Sequence, residues 1–333
     1  MRVLFAGSPA IAIPSLEAVS ELELEGRDVV LAGILTNPDR ARRHGREEPS
    51  DLSSAASRLD LIRKDAGLPP IPQLKSEKLG PSARKEAAAL KADLLVSFAY
   101  GRIFGPRFLS LFPLGGINIH PSLLPKYRGA SPIPALVLAG EKETGICIQR
   151  LAQQMDAGDI LAEDRFELCG RETTSSLSET VSLRAARLLG ELLPDFEARA
   201  ASVRQQEGEA TYCGEIKKEA GLIDWNKSAE YIDAQIRAYT PWPLAFTRKG
   251  NDTLFILEAG LLCETYGTTV SGEAAPGDTA PGTVLGVDKS KGILIQTGRG
   301  ILAATKLQWQ AKKALDWKAF CNGARDFTGS RLG

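Results

Sequence analysis

The chain predicts an α/β fold: an open, mostly parallel sheet with helices on both faces, followed by a small antiparallel barrel or curled sheet. Three observations lead there. Through the first half of the 333 residues, short apolar runs alternate with helical patterns, the pattern of repeated strand–helix–strand units. The composition then turns polar over "SVRQQEGEATYCGEIKKEAG". Beyond it, "PGTVLGVDKSKGILIQTGRGILAATKLQW" holds three strand-like runs separated by Asp-Lys-Ser-Lys and Gly-Arg-Gly turns, which are hairpin signals. The expected boundaries are an N-terminal domain over 1–200, a linker over 201–216 and a C-terminal domain over 217–333.

Element by element, "RVLFAG" reads as a buried strand and "PSLEAVSELELEG" as the helix after it. "DVVLAGILTN" is the second strand, "SARKEAAALKA" a helix, and "DLLVSFAYG" a strand ending in glycine. "GGINIH" is another strand, "ASPIPALVLAGE" a helix, and "TGICIQRLA" and "DILAEDRFEL" are strands. "SSLSETVSLRAARLLGELLPDFEARAA" reads as one long amphipathic helix with a serine-rich start. In the last third, "SAEYIDAQIRAY" is a short helix and "SGEAAPGDTAPG" a loop.

Composition excludes several classes. Lys and Arg together number 41, as do Asp and Glu, so net charge is zero and any nucleic-acid footprint must be local. The five cysteines, Cys147, Cys169, Cys213, Cys263 and Cys321, are scattered without a CxxC pair. That opposes a disulfide framework and a zinc site and suits a reducing, cytoplasmic compartment. Gly7 and Pro9 break the first apolar run at once, as a strand and turn do and a signal peptide does not. No apolar stretch is long enough to cross a membrane.

Only two histidines occur. His120 lies at the end of "GGINIH", two residues after Asn118. Residues at i and i+2 of a strand face the same side, and in open α/β sheets ligands bind beyond the carboxyl ends of the strands. An amide that donates to a developing oxyanion, beside an imidazole that holds or passes a proton, suits attack on a carbonyl. The alternative is a satisfied core histidine beside a structural asparagine. In "MDAGD", Asp156 could return to His120 and fix its tautomer; a solvated turn is the other reading. The first turn, "FAGSPAI", has one glycine and lacks the Gly-x-Gly-x-x-Gly of a dinucleotide site. "SLLPKYRGASPI" carries Lys126 and Arg128 and could close over a flat ligand or be an ordinary connection. "NPDRARRHGREEPSD" gathers Arg40, Arg42, Arg43 and Arg46, then ends in acidic residues. It could grip a polyanion or be a solvated loop; His44 within it receives no catalytic role.

"INIHPSLLPKYRGASPI" followed by "ETGICIQRLAQQMDAGDIL" resembles the folate-dependent formyltransferase family, in the order and spacing of the Asn-x-His pair, the Ser-Leu-Leu-Pro loop and the later Asp-x-Gly-Asp. "FAGSP", "TNPDR", "AYGRI", "IDW" and "RAYTPWPLAF" are similar to the branch that acts on initiator methionyl-tRNA. The resemblance implies a Rossmann-like N-terminal domain and an OB-like C-terminal barrel. It implies formyl transfer from 10-formyltetrahydrofolate to the α-amino group of methionine on initiator methionyl-tRNA, without a metal. It carries Asn118, His120 and Asp156 into catalytic positions. It places Ala99, Tyr100, Gly101 and Ser122, Leu123, Leu124, Pro125 around the folate, and Arg40, Arg42, Arg43 and Arg46 on the tRNA. A monomer with no membrane partner is expected. The same donor with an amino-sugar acceptor is the competing function, and a folate- or RNA-binding module without turnover a third. Steep loss of affinity with salt marks a phosphate-rich partner and separates the first two.

Overall fold

Val3, Leu4, Phe5 and Ala6 are wholly buried, which a strand achieves at the centre of a sheet covered on both faces. The computed structural model describes residues 1–41, 47–262, 279–324 and 326–333, without the side chains of residues 40, 41 and 47. Its elements are β1 (Arg2–Ala6), α1 (Ile13–Leu24), β2 (Val30–Thr36), α2 (Asp51–Asp65), β3 (Gln73–Lys75), α3 (Pro81–Ala89), β4 (Leu94–Ser97) and β5 (Gly116–His120). There follow α4 (Pro132–Ala139), β6 (Glu143–Arg150), β7 (Ile160–Glu167), α5 (Thr174–Leu192) and α6 (Phe196–Ala201). The last third adds α7 (Ala229–Ala238), β8 (Ala245–Lys249), β9 (Asp252–Leu261), β10 (Val284–Asp288), β11 (Gly292–Gln296), β12 (Ile301–Trp309) and α8 (Trp317–Gly323).

The first sheet runs β7-β6-β5-β4-β1-β2-β3. The pairings among β5, β4, β1, β2 and β3 are parallel, while β6 and β7 join antiparallel at one edge. The expected α/β architecture holds, with this antiparallel edge as the refinement. From β1 the chain first builds outward through β2 and β3, then returns to β4 on the other side of β1. The reversal lies between β1 and β4, and crevices form at such switch points. One face buries Leu4, Ala6, Leu35, Leu95, Tyr100, Phe104, Phe108 and Phe112 together. Each leucine or phenylalanine among them contributes roughly 1.5–3 kcal/mol by leaving water.

The structure adds one element the sequence reading did not assign and corrects another. Residues 51–65 form a helix, α2, which the composition did not announce; Ser50 caps it by accepting from the Ser53 amide at 3.1 Å. The long helix expected from Ser175 onward is interrupted: α5 ends at Leu192, a tight turn spans Leu193–Asp195, and α6 follows. Pro194 is the cause, since it has no N–H to donate and restrains the residue before it.

The chain divides into two compact units. One comprises Met1–Pro132, Glu143–Glu167 and Leu177–Gly214; the other Ile133–Lys142, Leu168–Ser176 and Glu215–Gly333. Within the second, strands run β8-β9-β12-β11-β10, all antiparallel, with Leu315–Asp316 paired to β12. The three hairpin runs expected there are β10, β11 and β12. Its core packs Trp225, Ile232 and Ile236 against Leu254, Ile256, Ile293, Ile295 and Leu302. The Arg237 guanidinium donates to the Glu172 carbonyl at 2.9 Å, which ties a piece from mid-chain into this unit.

Candidate active site

Strand β5 is flanked by β4 and β6, and the register sets Asn118 between Ser97 and Gln149 and His120 beside Cys147. Side chains in register share a face, so the Asn-x-His spacing delivers both groups to one side of the sheet at its carboxyl end. His120 is 3 % exposed, whereas Asn118 is half-buried. Among the described residues the Asn118 carboxamide has no hydrogen-bond partner. A donor placed there and left unpaired is open to a ligand.

His120 is held from both ring nitrogens. Nε2 lies 2.8 Å from the Tyr127 carbonyl, an acceptor, so this nitrogen carries the proton. Nδ1 faces Asp156 Oδ2 at 3.6 Å. Burial pushes the ring below the usual histidine range; the Asp156 charge and the Tyr127 hydrogen bond work against burial, and Arg128 works with it. Asp156 is itself fixed. Gly129 N–H donates to Oδ2 at 2.8 Å and the Gln149 amide to Oδ1 at 2.9 Å. Asp156 has φ +51°, an αL conformation tolerated by aspartate. Two residues on, Gly158 allows close approach: a Cβ there would overlap the Arg150 carbonyl oxygen.

A second arm of the site comes from a stretch the composition marks as a linker. The Gln206 amide donates to the carbonyls of Asp156 (2.9 Å) and Gly158 (2.8 Å). Its oxygen accepts from Arg128 Nε (3.1 Å) and Nη2 (2.6 Å). Tyr212–Cys213 pair in parallel with Arg128–Gly129, and Thr211 accepts from the Tyr127 amide at 2.8 Å. Sequence reasoning missed Gln149 and Gln206. A glutamine interrupting the apolar run "ICIQ" was the available signal for the first; nothing local signals the second.

The turn after β4 leaves Ala99 and Gly101 exposed in left-handed conformations, φ +52° and +77°. Between them Tyr100 is 2 % exposed and stacks on Phe104 at 5.3 Å. Its hydroxyl is buried without a hydrogen-bond partner, and burial holds its pKa above the usual tyrosine value. In the loop after β5, Ser122 is wholly buried and donates to the Lys126 carbonyl at 2.6 Å. Leu124 N–H points at Cys147 Sγ (3.4 Å), Leu124 and Pro125 are buried, and Leu123 is half-buried. Burial pushes the Cys147 thiol up to about 12, which makes it inert. Arg40–Ala41 pair antiparallel with Glu47–Glu48. Arg42, Arg43, His44, Arg46 and Cys263 lie outside the described residues. No group of three or more His, Cys, Asp or Glu side chains among the described residues could hold a metal ion.

At the end of one strand lie an amide unpaired among the described residues and an imidazole facing a carboxylate, an arrangement suited to group transfer at a carbonyl. Comparison with known proteins narrows the class. Residues 1–193 match the formyl transferase family and residues 215–325 the formyl transferase C-terminal domain. Methionyl-tRNA formyltransferase from Treponema denticola is 48% identical over 98% of this chain and 98% of its own length. Among solved structures, HypX from Aquifex aeolicus in complex with tetrahydrofolic acid superposes with a TM-score of 0.59 at 17% identity, covering 98% of this chain; the chain spans about half (48%) of that protein. Methionyl-tRNA formyltransferase from Clostridium thermocellum superposes with a TM-score of 0.52 at 17% identity, over 79% of this chain and 94% of that one. At such identities these two speak for the fold alone. The chain belongs to the formyl transferase family, in the group of the methionyl-tRNA formyltransferases.

Proposed function

We propose that this chain transfers the formyl group of 10-formyltetrahydrofolate to the α-amino group of methionine on initiator methionyl-tRNA, the step that prepares the initiator for translation. The observation that carries the chemistry is the unpaired Asn118 amide beside a His120 backed by a fixed Asp156. The near-full-length identity to a methionyl-tRNA formyltransferase favours the aminoacyl-tRNA over an amino sugar as acceptor.

The amine attacks the formyl carbon, a C–N bond forms, and negative charge builds on the formyl oxygen. Asn118 donates to that oxygen. Because His120 Nε2–H is engaged by the Tyr127 carbonyl, a proton taken up by the ring goes to Nδ1, where the Asp156 carboxylate stabilises the imidazolium. The charge on the oxygen then returns, the bond between the formyl carbon and the folate nitrogen breaks, and the amine's proton passes through this pair to that departing nitrogen. Folate suits the turns beside β5. Exposed backbone at Ala99 and Gly101, on either side of the buried Tyr100, offers the donors and acceptors a flat heterocycle needs. Ser122, Leu123, Leu124 and Pro125 form the opposite wall. Arg40, Arg42, Arg43 and Arg46 meet the tRNA. The N-terminal domain is of Rossmann type, without a dinucleotide; the antiparallel sheet of the second unit is an OB-like barrel. The functional domains run over about 1–200 and 217–333; the stretch between them, which packs on the first unit as far as Gly214, leads from one to the other, and the protein works as a cytosolic monomer.

The deciding experiment offers 10-formyltetrahydrofolate with methionine-charged initiator tRNA or with a nucleotide-linked amino sugar. Formylation of the aminoacyl-tRNA alone is expected; product on the sugar alone would defeat the proposed acceptor. With either acceptor, Asn118→Ala or His120→Ala should lower kcat by roughly 10²–10³-fold, about 2.7–4 kcal/mol of barrier, with an unchanged circular dichroism spectrum. Near wild-type turnover in these variants would remove them from the chemistry.

A further inference from the structure

At the carboxyl ends of β1, β2 and β4, on the other side of β4 from His120, lies a polar cluster the mechanism does not use. Arg102 Nε donates to Asn37 Oδ1 at 2.7 Å. Asn37 cannot swing away: its side-chain nitrogen donates to Ser8 Oγ (2.9 Å) and the Tyr100 carbonyl (3.3 Å), and its backbone N–H also reaches Ser8 Oγ (3.1 Å). Ser8 is joined through Thr36 to Ser50, at 3.2 and 2.7 Å. Three loops thus orient one guanidinium plane. The same bond uses only Nε, and among the described residues Arg102 forms no ion pair or further hydrogen bond. Asp39, the nearest carboxylate along the Asn37 loop, is occupied by Lys75 at 2.7 Å. Among the described residues the guanidinium is half-buried, oriented, without a carboxylate partner, and placed at the switch point of the sheet.

A planar fork held this way presents two parallel N–H donors and suits a bidentate oxyanion. Position selects which one. Arg102 directly follows the turn proposed for the folate, but its guanidinium is held toward β1 and β2 through Asn37 and Ser8, on the side away from β5. Asn37 also opens the loop that carries Arg40, Arg42, Arg43 and Arg46. We propose that Arg102, oriented by Asn37, is an anion-binding site that takes a phosphodiester of the acceptor RNA's 3′ end and so positions the aminoacyl ester for transfer. The proposal rests on the aminoacyl-tRNA reading of the preceding subsection.

The test measures equilibrium binding of uncharged initiator tRNA across a salt series, with formylation kinetics alongside. Arg102→Gln should bind tRNA about tenfold more weakly at moderate salt. Its plot of log affinity against log salt should be shallower by about 0.7–0.9, the contribution of one phosphate. Arg102→Lys keeps the charge but not the fork: affinity should fall several-fold with the wild-type slope retained. Asn37→Asp, which places a carboxylate on the guanidinium, should behave as Arg102→Gln does. The donor KM should stay at the wild-type value in all three. Unchanged tRNA affinity and slope in Arg102→Gln would overturn the proposal, as would an effect confined to the donor KM, which would assign the site to a folate carboxylate. A wild-type protein that formylates no aminoacyl-tRNA would instead defeat the functional reading itself.

Discussion

At His120, opposing forces act on a ring that is almost wholly buried. Loss of water disfavours its charged form, and the Asp156 carboxylate and the Tyr127 carbonyl recover only part of that cost. The folded pKa is therefore below the unfolded value of about 6.5. Above that pH the ring is neutral in both states and costs the fold nothing. As pH falls, the unfolded chain binds the proton first, so stability declines from about pH 6.5 until the folded ring also titrates. Urea midpoints taken from pH 8 down to pH 5 should show this decline, and His120→Asn should show a smaller one. Identical curves for the two proteins would mean that burial does not dominate at this ring. Asn118 and His120 were legible as a pair because strand spacing alone puts i and i+2 on one face. Gln206 was not, since its partners lie far away in sequence, at Arg128 and Asp156.

Helix α1, helix α2 and strand β2 meet at one buried ion pair. Arg63, 2 % exposed, bonds Glu23 at 2.7 Å and the Pro69 carbonyl at 3.1 Å, while Glu23 also accepts from the Leu31 amide at 3.0 Å. Both side chains thereby spend their hydrogen bonds inside the fold. Removing one partner strands the other charge, so Arg63→Ala should cost about 3–5 kcal/mol in urea unfolding. Arg63→Met combined with Glu23→Leu should recover most of that loss, since neither charge remains to be solvated. A double variant as weak as the single one would show that shape, not charge, decides this junction. At this scale the sequence revealed every strand of the first sheet but β3, whose three residues are too few for a pattern. Helix α2 was hidden because "SSAASR" lacks a strong apolar period and its cap is visible only in the folded turn.

For the molecule as a whole, 41 cationic and 41 acidic residues cancel, so no net charge draws in RNA. Affinity for tRNA must come from local cations, and it should still fall steeply with salt as their phosphates release counterions. Replacing Arg40, Arg42, Arg43 and Arg46 together by Gln should flatten the slope of log affinity against log salt by about three. A wild-type slope near zero would rule out a phosphate-rich partner.

The sequence by itself determined the class of architecture, because periods of 2 and 3.6 in apolar residues specify strands and helices without reference to anything distant. It also determined the Asn-x-His pair and the hairpin strands of the second unit, whose signals are local. Tertiary structure alone decided what surrounds that pair. The register of β5 against β4 and β6 sets Asn118 between Ser97 and Gln149. Return of the 206–213 segment locks Arg128 and the Asp156 turn, and convergence of three loops orients Arg102. These are contacts between residues tens of positions apart, and a side chain's partner there depends on chain closure, which no local pattern encodes.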